Sequence, residues 1–233
     1  METHSTKTIE TIERLKGIKE ELPSLGNQIM LAGDKVMYPL DMIIIGIVKR
    51  CLSISTALEQ LVLSWNMTCA RAVLRMQLDT ALRFSGFWLS DDPQGMARKV
   101  ISGKQINKMR DRDGQRMTDF YLAKKLGEHF EWVPRVYKYT SSYIHFSERH
   151  LFDPIWNLND EERIATFVIN EYDYKFPEFS WIELIDYASD CLLIVKELLI
   201  DYKQDKESAA NPKRVDWGLP LTLNSSVKPD LHS

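Results

Sequence analysis

The apolar residues recur at helical spacing along most of the chain. Ile9, Ile12, Leu15, Ile18 and Leu22 form one stripe, which predicts an amphipathic first helix that Pro23 ends. Further stretches with the same period predict helices over 39–65, 68–88, 93–101, 118–130, 133–146 and 180–204, with a shorter segment over 25–36. Pro39 suits a first helical position, Asn66 suits an N-cap, and Ser180 with Glu183 forms a capping box.

One segment has a period of two instead. Ile164, Thr166 and Val168 alternate with Ala165, Phe167 and Ile169, which predicts a strand, and 150–155 is the expected partner strand. The sequence therefore predicts an all-α fold, a single bundle of about six or seven helices over 1–206 with a small β-hairpin before the last long helix.

The C-terminal segment 207–233 is rich in Ser, Asn, Pro and Lys and has no helical stripe, so it predicts a disordered or docking tail. Within it Trp217, Leu219, Leu221 and Leu223 alternate with Gly218, Pro220 and Thr222. Alternation puts the four apolar side chains on one side of an extended chain. Two interpretations stay open, namely docking of Trp217–Leu223 on a subunit or partner and a chance apolar cluster in a mobile terminus.

A row of charges lies inside the most apolar helix. Arg71, Arg75, Asp79 and Arg83 recur every four residues and therefore follow one line on the helix, while apolar residues cover most of the remaining surface. Buried charges need partners. The row is thus either a ladder of ion pairs, with Asp79, Asp41 or Glu59 as acids, or the wall of an anion pocket. We predict a buried Arg75–Asp79 pair, for which Asp79→Ala would cost about 3–5 kcal/mol.

The composition narrows the function classes. A net charge of −3 and a pI near 6.0 give no general attraction to nucleic acid or anionic membranes, and the longest apolar run is too short to cross a bilayer. The N-terminus lacks a signal-peptide pattern, so a cytoplasmic location without membrane contact is expected. Cys51, Cys69 and Cys191 are expected to be reduced core residues. No phosphate-binding loop, GxSxG elbow or paired CxxC motif occurs, and we expect neither a cofactor nor a metal.

The segment Tyr139–His150 holds the candidate for acid–base chemistry. Ser142, His145 and Glu148 are spaced by three and can share a helical face. If that face meets the charged row, His145 as base and Arg75 as phosphate clamp would suit a metal-independent ribonuclease, with Arg71, Asp79, Arg83 and Ser142 as ligand-binding residues. The alternative is that His145 hydrogen-bonds Asp79 or a backbone carbonyl.

A polar, basic connection follows the helix that ends near Ile101. Its cationic residues, Lys104, Lys108, Arg110, Arg112 and Arg116, are interleaved with few aromatic residues. A solvated, mobile loop is one interpretation and a contact between Lys104–Arg116 and RNA phosphates is the other.

Four stretches carry a resemblance to a known group of proteins. The chain has RMQLDTALR over Arg75–Arg83, a following Asp92-Pro93, INKMRDRDGQRMTDFYL over Ile106–Leu122 and SSYIHFS over Ser141–Ser147. Over roughly 39–200 these stretches resemble an uncharacterised bacterial all-helical family of unknown function, whose bundle is similar to the HEPN superfamily. That superfamily includes ribonuclease toxins, abortive-infection proteins and noncatalytic partners of nucleotidyltransferases.

The resemblance implies one of two roles. Catalytic HEPN proteins have an Arg four to six residues before a His, whereas here Arg135 precedes His145 by ten residues and Arg149 adjoins His150. The first expectation is therefore a noncatalytic interaction or ligand-sensing protein in a bacterial defence or toxin–antitoxin context, forming a homo-oligomer or binding a protein partner. The alternative is a metal-independent ribonuclease that uses the His/Arg cluster.

Overall fold

A computed structural model describes residues 3–144 and 147–208, so His145 and Trp217–Leu223 lie outside the described residues. The chain folds as an all-α bundle with one small β-hairpin before the last long helix. The elements in chain order are α1 Thr6–Leu31, α2 Pro39–Leu63, α3 Met67–Ser85, α4 Pro93–Ile101, α5 Asp119–Gly127, α6 Trp132–Ser141, α7 Glu148–Phe152, β1 Ile155–Asn159, β2 Ile164–Phe167 and α8 Glu178–Ser208.

Helix α3 lies at the centre of the bundle. It packs against α2 and α8 on its apolar sides and against α5 and α6 along the remaining side, while α1 covers α8 and α4 covers α2. Leu74, Leu78, Ala81 and Phe84 of α3 are almost completely buried. None of the described helices has the length and apolarity that a bilayer-spanning helix needs.

Most predicted helix starts are confirmed. Pro39 opens α2, the Asn66 side chain accepts a hydrogen bond from the Cys69 backbone N–H at 2.9 Å, and the Asp92 side chain accepts one from Gly95 at 2.7 Å. These side chains satisfy backbone donors that a helix leaves unpaired in its first turn. Local sequence therefore determines where α2, α3 and α4 begin.

The predicted end of α1 at Pro23 is wrong. The helix continues through Pro23 to Leu31, and the apolar stripe also continues, with Leu22, Leu25 and Ile29 buried. A proline inside a helix removes one hydrogen bond and costs about 3 kcal/mol. Burial of Leu25 and Ile29 against the bundle stabilises the helix by roughly 1.5–3 kcal/mol for each side chain, which offsets the cost of the proline.

Three further boundaries differ from the predictions. α8 begins at Glu178 and not at a capping box on Ser180, and α6 ends at Ser141 and not near Phe146. The strand β2 pairs with Ile155–Asn159 and not with 150–155, the first half of which belongs to the short helix α7. Among the cysteines, Cys51 and Cys191 are buried as predicted, whereas Cys69 is exposed.

The polar connection between α4 and α5 has an ordered structure. The Asp111 carboxylate accepts hydrogen bonds from the Gln115 backbone N–H at 2.7 Å and from the Tyr121 hydroxyl. Arg112 donates to the backbone carbonyls of Trp88 and Leu89, in the turns that follow α3. These hydrogen bonds connect the loop to the rest of the bundle.

A fully buried ion pair joins the ends of four helices. Lys206 of α8 donates to the Asp41 carboxylate at 2.8 Å and to the Ile29 carbonyl of α1 at 2.9 Å, and neither charged side chain has solvent exposure. Tyr202 donates to the other Asp41 oxygen at 2.8 Å and receives a hydrogen bond from Gln94 of α4. Both charges are compensated, so removal of one leaves the other unpaired inside the protein.

We predict that Lys206→Met lowers the free energy of unfolding by about 3–5 kcal/mol, because the Asp41 carboxylate then lacks a counter-charge. Urea unfolding followed by circular dichroism measures the change. The control is Lys203→Met on the same helix, whose ion pair with Glu207 at 3.6 Å is partly exposed to solvent and is worth less than about 1 kcal/mol. Equal losses in the two variants would contradict the prediction.

Candidate functional site

The charged row of α3, defined as Arg71, Arg75, Asp79 and Arg83, faces the side of the bundle formed by α5, α6 and the segment around the hairpin. Arg71 and Arg75 are buried, with 7% and 8% of their surface exposed, whereas Asp79 and Arg83 are partly exposed. The row thus runs from the interior to the protein surface. The structure brings these four predicted site residues together on one helix, as their spacing requires.

Arg71 connects three later segments of the chain to α3. Its guanidinium donates to the Tyr143 hydroxyl at 2.8 Å and lies 3.9 Å from the Asp153 carboxylate, which directly precedes the hairpin. The guanidinium carbon is 4.4 Å from the Phe176 ring centre and 4.6 Å from that of Tyr143. Arg71 is therefore held by aromatic rings as well as by an ion pair, a combination that suits its planar guanidinium.

The other end of the row is a cluster of two arginines and two aspartates. Arg83 Nε lies 2.8 and 2.9 Å from the Asp79 oxygens, and Arg83 Nη2 lies 2.9 Å from Asp119 Oδ1 in an ion pair without hydrogen-bond geometry. Arg75 lies 3.8 Å from both Asp79 and Asp119. Asp79 thus pairs more closely with Arg83 than with the predicted partner Arg75.

The arginine in the middle of the row is also in contact with α6. Arg75 Nε donates to the Ser141 hydroxyl at 3.4 Å, and its guanidinium carbon lies 4.4 Å from the Tyr137 ring centre. Ser141 itself donates to the Tyr137 carbonyl at 2.6 Å, which fixes its side chain. The row therefore attaches α5 and α6 to α3.

The acids that neutralise the row differ from those predicted. Asp119 and Asp153 supply two of the three carboxylates, whereas Asp41 pairs with Lys206 and Glu59 with Lys16 and Lys19. Three arginines thus face three aspartates within the described part of the chain. Of the two alternatives for this row, the geometry therefore matches the ladder of ion pairs.

Burial affects the titration of the acids beside Arg71. Desolvation raises the pKa of Asp153, opposed by the positive charges of Arg71 and Lys175. Desolvation also raises the pKa of Glu183 on α8, which lies 3.4 Å from the Tyr187 hydroxyl. Since one oxygen of Asp153 is buried without a hydrogen bond, Arg71 is its principal partner.

The predicted Ser142, His145 and Glu148 face does not form. Ser142 is the C-cap of α6 and its hydroxyl donates to the Tyr139 carbonyl at 2.7 Å, while Glu148 begins the separate helix α7. The interruption between the two helices destroys the three-residue periodicity. Ser142 is therefore bonded to its own helix, and the position of His145 lies outside the described residues.

The residues that complete the site were not all detectable from the sequence. Asp119 follows the N-cap Thr118, which accepts a hydrogen bond from Tyr121 at 3.2 Å, so its place in a first helical turn was a usable signal. Asp153 and Phe176 carry no local pattern that links them to α3. In the described residues no group of three or more His, Cys, Asp or Glu side chains is arranged to hold a metal ion.

The comparisons with known proteins give no assignment. No family model, no curated protein and no solved structure matches the chain.

We predict that Asp79→Ala lowers the free energy of unfolding by about 1–3 kcal/mol, the cost of leaving charged donors without their acceptor. This is less than expected for a buried pair, because the Asp79 and Arg83 side chains are 21% and 31% exposed and Asp119 remains beside both arginines. Chemical unfolding measures the loss. The control is Glu10→Ala on the exposed side of α1, for which we expect a change below about 0.5 kcal/mol. If Asp79→Ala lost no more stability than this control, the role of the ion cluster would be refuted.

Proposed function

We propose that this protein is a noncatalytic interaction protein that binds a second copy of itself through one face of its β-hairpin. The observation that carries the proposal is an apolar hairpin face exposed to solvent. We define the hairpin face as Ile155, Leu158, Ala165 and Phe167. Leu158 and Phe167 are 60% and 56% exposed, and large apolar side chains in such a cluster are typical of association surfaces.

The register of the strands creates this face. Leu158 pairs with Ala165 and Ile155 with Phe167, so these four side chains lie on the same side of the hairpin. The opposite side carries Asn157, Asn159, Thr166 and Ile164, and an irregularity between Ile155 and Asn157 accommodates the additional residue Trp156. Such a pattern is normal for a sheet with one buried side, yet neither strand packs extensively on a described helix.

A second copy suits this face for two physical reasons. A two-stranded hairpin alone is marginally stable in water, and packing the same face of two copies together covers both at once. The turn is acidic, with Asp160, Glu161 and Glu162 before Arg163. A twofold axis perpendicular to the strands puts the two acidic turns at opposite ends and avoids contact between like charges.

The core holds the base of the hairpin in position. Asp153, two residues before β1, lies 3.9 Å from Arg71, and Lys175 donates to the carbonyls of Phe152 and Ile155 at 3.5 and 3.4 Å. The hairpin is therefore attached at its base while its apolar face remains outside the bundle. Such an attachment holds the hairpin face in position for association. It also gives the charged row a structural role, since Arg71 holds the base of the hairpin.

The paired state of the row also favours a noncatalytic role over the ribonuclease alternative. A phosphate clamp needs guanidinium donors directed at a space where phosphate binds. Arg71 is covered by two rings and bonded to Tyr143, and Arg75 is stacked on Tyr137 between Asp79 and Asp119. A bound phosphate would have to compete with Asp79 and Asp119 for Arg75, and with Asp153 for Arg71.

We predict that the wild-type protein forms a dimer and that the double variant Leu158→Thr, Phe167→Thr is a monomer with an unchanged helical spectrum. Sedimentation velocity measures the mass over a range of protein concentrations. Ile164→Thr, on the opposite side of the same hairpin and 53% exposed, is the matched control and retains the dimer. A monomeric wild type, or a dimer that persists in the double variant, would refute self-association through the hairpin face.

We also predict that purified protein does not cleave single-stranded RNA in the presence of EDTA. Electrophoresis of end-labelled RNAs of varied sequence measures cleavage, with His145→Ala and Arg75→Ala prepared in parallel as controls for contaminating nuclease. Cleavage by the wild type that both folded variants lack would overturn the noncatalytic proposal and support the ribonuclease alternative.

A further inference from the structure

A cationic cleft lies on the side of the protein where α4 and the loop between α4 and α5 meet. Its volume is about 340 Å³, and its lining includes Lys99, Lys104, Lys108 and Arg110 around Met96 and Met109. The two methionines are buried and form an apolar floor, whereas the four cationic residues are exposed at the rim. Apolar walls with a few polar groups are typical of small-molecule sites, which begin at roughly 300 Å³.

The backbone brings these cations together. Gly103, with φ of 92°, ends α4 in a left-handed turn, and the Lys104 N–H donates to the Lys99 carbonyl at 2.9 Å. A short helical turn over Ile106–Lys108 reverses the chain, and the Met109 carbonyl then accepts a hydrogen bond from the Met117 backbone N–H at 3.0 Å. Lys99, Lys104 and Lys108 thus border one cleft although they belong to successive turns of the chain.

The three lysines of the cleft have no ion-pair partner among the residues that the structure describes. None of its lining residues is acidic, and within the described part of the chain no carboxylate lies at ion-pair distance from Lys99, Lys104 or Lys108. Of the nearby acids, Asp92 pairs with Arg98 and Asp111 organises the loop. The carbonyl end of α4 contributes only about half a negative charge, against four positive side chains.

We propose that this cleft binds the phosphate group of a small phosphorylated ligand of about nucleotide size. The ammonium and guanidinium groups at the rim would bind the phosphate oxygens through charge-assisted hydrogen bonds, and the methionine floor would contact the apolar part of the ligand. This site is separate from the hairpin face and from the charged row, so the inference does not depend on the proposed self-association.

Isothermal titration with the full-length protein tests the inference, using pyrophosphate and ATP as small probes and a single-stranded RNA of about 12 nucleotides as the extended one. The expected result is saturable binding of both small probes that weakens as NaCl is added, because salt screens exposed charges. The triple variant Lys99→Gln, Lys104→Gln, Lys108→Gln should weaken binding of the small probes by about tenfold or more.

The matched control is Lys35→Gln, Lys124→Gln, Lys138→Gln, which removes the same number of exposed lysines outside the cleft. It should bind the small probes like the wild type, and circular dichroism should show the same helical fold for both triple variants. Absence of binding by the small probes, binding of the RNA alone, or equal weakening in the two triple variants would each overturn the inference.

Discussion

The arginines of α3 remain inside the bundle because carboxylates from two later segments of the chain come into contact with them. Asp119 at the start of α5 and Asp153 before the hairpin join Asp79 to balance three guanidinium groups. A charge that lost its partner there would cost several kcal/mol, since the interior cannot solvate it as water does. Each ion pair also attaches α5 or the base of the hairpin to α3, and the contacts of Arg75 with Ser141 and the Tyr137 ring attach α6.

The charged row therefore has a structural role inside the protein, whereas the proposed functions belong to two other surfaces. Its arginines are engaged by aspartates and aromatic rings, whereas the hairpin face is exposed to solvent, and Lys99, Lys104 and Lys108 of the cationic cleft have no ion-pair partner among the described residues. The two surfaces differ in chemistry. One presents Leu158 and Phe167 for packing, and the other presents lysines for an anion, so separate variants can test them independently.

Local sequence signals predicted most helices and the hairpin correctly, but only some of their boundaries. Pro39, Asn66, Asp92 and Thr118 act within one turn of their own helix, so their roles could be inferred from neighbouring residues alone. Pro23 was misjudged because burial of Leu25 and Ile29, which is a tertiary effect, offsets its local cost. The partner of β2 was misplaced by several residues for a related reason, since pairing is selected by contacts across the turn.

The amino-acid sequence was enough to predict a helical bundle with a hairpin before the last long helix, and four charges along one side of the central helix. Periodicity and capping are properties of adjacent residues, so both could be recognised without a structure. The packing of the helices was needed to identify the acids that meet those charges, the pairing of Asp41 with Lys206 at a separation of 165 residues, and the lysines that share a cleft. These are contacts between distant parts of the chain, and their identity depends on how the helices pack rather than on any local pattern.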